Sequence, residues 1–230
     1  MFSPPPGNSV SKPPAALRGI RAIGVAAWLA TGAAHGADVV AEVKDGRGAP
    51  VADAVVYVTP LSGRVPQRQQ TAIIAHQNKQ FVPYVTAAQV GTLINLPNRD
   101  DVKHHAYSFS PAKKFELPLY AGTPDAPLLF DKPGIVTIGC NIHDWMTAYV
   151  CIVETPFFAV TGADGRAQVR GLAAGAYRAE VWQPRIKGAP SGSAQQITVG
   201  SEPARVTFAL DLKPDFRARR NPAAADGGYR

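Results

Sequence analysis

The sequence predicts an all-β protein built of β-sandwiches. Short runs rich in Val, Ile, Thr, Tyr and Phe recur from Val39 to Leu210. Clusters of Gly, Pro, Asn and Asp separate them, as turns separate the strands of a sandwich or barrel. Beyond Ala37 no stretch sustains the helical spacing of apolar residues.

Residues 1–36 stand apart. They carry Lys12, Arg18 and Arg21 and no acidic residue, then an apolar run from Ala22 to Ala34, then Ala34-His35-Gly36 before Ala37. A positive start, a short apolar centre and a small-residue site read as a signal peptide cleaved after Gly36. The apolar run falls short of the ~20 residues that a bilayer span requires. The expectation is therefore an exported, periplasmic protein with no membrane span after cleavage. Loss of the three basic residues lowers the formal charge of +7 by three. Much of what remains sits in a basic tail, 213–230, which reads as disordered and solvated. An exported chain seldom meets nucleic acid, so no such partner is expected.

From Ala37 the chain runs through Val39-Val40-Ala41-Glu42-Val43-Lys44, an Asp45-Gly46-Arg47-Gly48 turn, and Ala54-Val55-Val56-Tyr57-Val58. Two β-branched runs around an Asp-Gly turn predict a β-hairpin or a close relative of one. A lone hairpin is marginal in water and needs a sheet to join. The proline-containing stretch 60–70 reads as a linker. The block 71–154 then predicts strands at 71–75, 81–86, 92–96, 105–109, 128–130, 135–138 and 147–153.

That block holds the chemistry. Cys140, His143 and Met146 are spaced C-x2-H-x2-M, and His104 and His105 stand upstream to complete a four-ligand set. Soft sulfur donors together with imidazole select copper or zinc, and a His2Cys set with a weak axial Met suits a blue-copper centre. Zinc would more often gather further cysteines. A full set of four protein ligands leaves no open position for substrate, so no enzyme is expected. A Cys140 to Cys151 disulfide is the competing use of the thiols in an oxidising compartment. Cys151 lies in the apolar run Tyr149–Val153, however, and reads as a small buried hydrophobe. His76, beside Gln77-Asn78, reads as a surface turn histidine. Asp100-Asp101 reads as a solvated loop, with Asp101 the residue placed to orient a ligand imidazole. Lys113-Lys114 reads as an exposed basic pair and Trp145 as core packing.

Gly134-Ile135-Val136-Thr137-Ile138-Gly139-Cys140, with its short ligand loop, resembles the cupredoxin family. The loop is of the amicyanin type, shorter than that of plastocyanin or azurin. Phe81-Val82-Pro83, Gly91, Leu93-Ile94-Asn95-Leu96 and Asn98 resemble the family's approach to its first histidine ligand. In amicyanin-like proteins that histidine follows the asparagine by six positions, which falls on His104. The family usually places Asn after this ligand; His105 stands there instead and remains the alternative to His104. The resemblance implies a cupredoxin Greek-key β-sandwich over 71–154 and one type 1 copper on His104, Cys140, His143 and Met146. It also implies single-electron transfer between periplasmic redox partners, a dehydrogenase donor and a cytochrome c acceptor, in methylamine utilisation. Two other readings use the same residues: copper storage or delivery, which the His104-His105 doublet keeps open, and a non-redox binding scaffold with a vestigial site.

The third block carries Ala163-Asp164-Gly165 and Gly171-Leu172-Ala173-Ala174-Gly175-Ala176-Tyr177. These turns resemble the carboxypeptidase-regulatory-like, prealbumin-like β-sandwich. Its usual opening, G-x-P-V-x-D-A-V-V, is matched by Gly48 to Val56, ahead of the copper block. The expectation is one discontinuous sandwich, 37–62 plus 155–212, interrupted by 71–154. A hairpin simply added to the copper block is the rival. Apolar residues on both sides of Tyr149–Val153 fit a strand covered on both faces.

Overall fold

The computed structural model describes residues 1–3, 37–188 and 194–215. The expected signal peptide from residue 4 and the basic tail from residue 216 lie outside the described residues. The described residues are all-β, with seventeen strands and no helix. None of them forms a helix long and apolar enough to cross a membrane.

Strand β1 (Val39–Asp45) is the centre of a three-stranded sheet, with β14 (Arg166–Val169) antiparallel on one side and β17 (Ala204–Leu210) parallel on the other. Facing it is a four-stranded sheet in which β13 (Phe158–Val160), β2 (Val55–Pro60), β15 (Gly175–Trp182) and β16 (Gln195–Val199) lie side by side. Val39, Val43, Val56, Val58, Val181 and Phe208 form the core between the two sheets. The expected hairpin of 39–44 with 54–58 is therefore not formed, because β1 and β2 belong to different sheets. The turn itself is present: Asp45 Oδ1 accepts the N–H groups of Arg47 and Ala49, each at 2.9 Å. What separates the strands is burial. In β1 Val39, Ala41 and Val43 alternate with half-exposed neighbours, whereas in β2 both Val55 and Val56 are fully buried. A strand buried on both faces takes a central place between covered layers.

The second pair of sheets holds residues 71–153. A five-stranded sheet runs in the order β6 (Val85–Gln89), β12 (Thr147–Val153), β11 (Gly134–Gly139), β8 (His104–Ser110), β9 (Lys113–Tyr120). Opposite it lie β10 (Leu128–Phe130), β7 (Thr92–Asn95) and β3 (Thr71–Ile73). Ile94, Phe130, Val136, Ile138, Val150 and Ile152 fill the space between. Two short strands, β4 (Ala75–His76) and β5 (Phe81–Val82), form a small hairpin of their own. The expected strand 81–86 is thus two pieces, and 71–75 likewise divides. Strand β9 lies outside the expected strands: Lys113 and Lys114 are its first residues, on an edge whose side chains are all exposed or half-exposed and which carries Pro118. Lys and Pro are common on sheet edges, where they discourage pairing with a further strand.

β12 is buried from two sides. Ala148, Val150 and Ile152 face the second core, while Tyr149, Cys151 and Val153 pack with Val55, Tyr57 and Trp182 of the four-stranded sheet. Both cysteines are free and buried, so the Cys140 to Cys151 disulfide is not formed. Burial pushes the Cys151 thiol up to about 12. The segment read as a linker is pinned by buried Gln89, whose Nε2 donates to the carbonyls of Pro66 (2.7 Å) and Glu154 (3.0 Å). Its Oε1 accepts the Arg68 N–H at 3.0 Å. Phe130 and Phe208 have no exposed surface. Their truncation to Ala should each destabilise the protein by about 3–5 kcal/mol in urea unfolding. Phe109→Ala, at a side chain 77% exposed, should change stability by no more than about 0.5 kcal/mol.

Candidate metal centre

Cys140 directly follows β11, and His143 and Met146 sit on the short loop that leads into β12. Pairing of Gly139 with Thr147 closes the base of that loop. On the other side of β11, Gly139 also pairs with Tyr107 of β8, whose first residue is His104. One strand thus holds the two chain segments that carry the donors.

Cys140 Sγ lies 3.9 Å from His104 Nδ1 and 3.8 Å from His143 Nδ1. The three donor atoms all fall within 4.8 Å of one another. His104 is fully buried, Cys140 is 3% exposed and His143 is half-buried. Met146 is 2% exposed and shares the apolar cluster of Cys140. Its N–H donates to the His143 carbonyl at 3.0 Å, which tightens the loop.

Hydrogen bonds aim the His104 ring. Its Nε2 is 2.7 Å from Asp100 Oδ2. With Nε2–H donated to the carboxylate, Nδ1 keeps a free lone pair toward Cys140. Burial works to raise the Asp100 pKa, but the Lys79 N–H, the His104 ring and the Asn78 N–H outweigh it and hold the carboxyl below its ordinary value. Asp100, not Asp101, is therefore the orienting acid; Asp101 is exposed. Asn98 explains the choice. Its Oδ1 accepts the Asp100 N–H at 3.0 Å, while its Nδ2 donates to the carbonyls of Val102 (2.7 Å) and Tyr120 (2.9 Å). That bracing turns the loop so that Asp100 faces inward.

His105 points away. Its Nε2 stands 3.1 Å from Glu116 Oε1, without hydrogen-bond alignment, and its ring is 5.7 Å from that of Tyr107. The β8–β9 register shifts between His104 and Ala106, and His105 lies with Glu116 and Tyr107 while His104 faces Cys140. The structure brings His104 together with Cys140 and His143 and leaves His105 outside.

His76 corrects the sequence reading. It is fully buried, with its ring edge-on to His104 at 5.0 Å and to Phe81 at 4.7 Å. The Tyr120 hydroxyl donates to the Leu96 carbonyl at 2.6 Å and lies 3.2 Å from His76 Nε2, from which it can accept. His76 Nδ1 has no partner. The polar tip of the β4–β5 hairpin is exposed, but its stem turns inward, and the run Ile74-Ala75-His76 was the available signal. Burial, then the neighbouring His104, pushes the His76 pKa down to about 4, with Asp100 opposing. Burial and then His104 and Lys79 also lower that of His143. Trp145 is half-buried; its indole N–H donates to the Lys79 carbonyl at 3.1 Å and its ring lies 5.0 Å from that of His143.

The spacing suits a metal. Bonds of ~2.3 Å to sulfur and ~2.0 Å to nitrogen, at the ~120° of a trigonal His2Cys set, place S and N ~3.7 Å apart. The observed separations of 3.9 and 3.8 Å lie close to that distance. The donor set contains no oxygen, which disfavours hard ions. The group could hold a soft or borderline transition metal.

No family model and no curated protein matches the chain. Solved structures resemble part of it. A mutant of amicyanin with Cu(I) is 14% identical over 36% of this chain and 82% of that one, with a TM-score of 0.33. A purple cupredoxin from Nitrosopumilus maritimus is 21% identical over 36% of this chain and 99% of its own, with a TM-score of 0.32. A copper-containing nitrite reductase from Thermus scotoductus is 21% identical over 43% of this chain and 25% of its own, with a TM-score of 0.34.

The buried His76 has a consequence for acid stability. Its folded pKa lies below its ordinary value, so between about pH 6.5 and pH 4 the unfolded chain binds the additional proton. The stability that neutral His76 supports is present above about 6.5 and lost as the pH falls toward 4. In the metal-free protein, His76→Leu should flatten this part of the stability profile, read from melting temperatures across that interval.

Proposed function

We propose that the chain is a copper-binding electron carrier, with its ion held by Cys140, His104 and His143 and by Met146 as the weak axial ligand. The observation that carries this reading is the buried thiol flanked at 3.8 and 3.9 Å by two imidazole nitrogens. When bound there, copper supplies a one-electron Cu(II)/Cu(I) couple. The residues supply the rest. Cys140 and His104 exclude water, while half-buried His143 gives the site its contact with solvent. Asp100 holds His104 in one tautomer, and the pairing of β8, β11 and β12 keeps the donors from shifting. A frame that need not rearrange between oxidation states favours fast electron transfer.

The reading assigns no catalysis, since four protein ligands leave no place for substrate. It extends to export into the periplasm, on the leader pattern, and to a dehydrogenase donor and cytochrome c acceptor in amine oxidation, on the family resemblance. We also read 37–62 and 155–212 as one carboxypeptidase-regulatory-like sandwich interrupted by 71–154. Supporting this, every pairing of β1 and β2 as strands is with strands of 158–210. Storage or delivery is less well supported, because the histidine doublet that favoured it is divided between two faces.

A visible spectrum during titration with Cu(II) tests the reading. One equivalent should give an intense thiolate-to-copper band that is absent in Cys140→Ser and His104→Ala and retained in His105→Ala. Copper bound tightly without that band would instead support storage or delivery.

A further inference from the structure

The two candidate ligand histidines stand on separate segments, yet both are braced from one two-residue turn. Gln77 and Gln80 close the β4–β5 hairpin with reciprocal backbone hydrogen bonds of 2.9 and 3.1 Å. Asn78 and Lys79 form its tip, each with φ of 54°. Positive φ at both positions is the type I′ arrangement, which usually recruits Asn followed by Gly. Lys79 occupies the glycine position without being glycine. Backbone held in such a sparsely populated region by its surroundings is a pointer to function.

The conformation points two N–H groups the same way. Asn78 N–H donates to Asp100 Oδ1 at 2.6 Å and Lys79 N–H to Oδ2 at 3.0 Å. Successive amides converging on a carboxylate make a small anion nest. The same Oδ2 meets His104 Nε2 at 2.7 Å. From its other side the turn offers the Lys79 carbonyl to the Trp145 indole N–H at 3.1 Å, and that indole covers His143. N–H and C=O of one residue, Lys79, thus reach both halves of the donor set.

We propose that the Asn78–Lys79 turn is a positioning element that couples the two histidines, setting His104 through Asp100 and His143 through Trp145. The proposal rests on the reading of both histidines as copper ligands. It makes Asp100 and Trp145 two arms of one brace. Releasing either arm frees the turn, so the second arm then has less left to hold.

The test uses Asp100→Asn, Trp145→Phe and the double variant in the full chain. Cu(I) affinity is read by competition with a chelator and the Cu(II)/Cu(I) reduction potential by titration, with circular dichroism to check folding. Asp100→Asn should weaken binding about 10- to 100-fold, as loss of an outer partner of a metal ligand does. Trp145→Phe should weaken it about 2- to 10-fold, the scale of one hydrogen bond. The double variant should bind little more weakly than Asp100→Asn alone, so that its loss falls short of the product by most of the Trp145→Phe factor, and the potential shifts should likewise fail to add. Losses that multiply and shifts that add, in proteins that keep the thiolate band, overturn the proposal. Trp145→Phe keeps an aromatic ring and gives a second readout in the metal-free chain: the Asn78 amide and His104 Nε2 resonances should move. Unmoved resonances overturn the coupling even if Asp100→Asn fails to fold. A wild-type chain that yields no thiolate band overturns the function reading itself and the proposal with it.

Discussion

The candidate centre depends on how closely β8 and β11 approach each other at Gly139. The Tyr107 ring lies across this glycine, and a Cβ there would come within 3.0 Å of the ring and its hydroxyl. The two strands pair at Gly139 and Tyr107, one residue before Cys140 and three after His104. The donors from two distant parts of the chain then meet at one end of the sheet. Every other feature of the site adjusts what this contact brings together.

Bringing three polar donors into an apolar cluster is costly unless their remaining hydrogen-bonding groups are satisfied. The surroundings meet that cost one ring at a time. His104 passes its Nε2 to Asp100, which is in turn held by the amides of a neighbouring turn. His76 stays neutral in its buried place and supports the face of His104. The nitrogen of His104 left over is Nδ1, which faces Cys140, while His76 Nδ1 stays without a partner. Such bracing limits how far the His104 ring can turn away from Cys140.

The two pairs of sheets form a stack in which the second and third layers share a small cluster about Trp182, Cys151 and Val85. Covering both faces of β12 stiffens the strand that receives the ligand loop. Gln89 ties 66–68 to the end of that same strand through three hydrogen bonds. The chain connecting the sandwiches is therefore anchored where it passes the second one.

Much of this was legible in the sequence. β-branched runs and turn residues identify strands because side-chain period and φ preference are local properties. The C-x2-H-x2-M spacing is local as well, so Cys140, His143 and Met146 could be grouped without a fold. What the sequence left undecided were matters of facing and partnership. Whether His104 or His105 meets Cys140, whether Asp100 or Asp101 meets the imidazole, and whether His76 is inside or outside depend on register and loop bracing. A shift of one residue along a strand reverses the face a side chain presents. The hairpin misreading has the same origin, since Val55 and Val56 reveal a two-sided strand only when layers exist on both sides. Local chemistry was written in the chain; the choice between neighbours belonged to tertiary packing, because only packing distinguishes one face of a strand from the other.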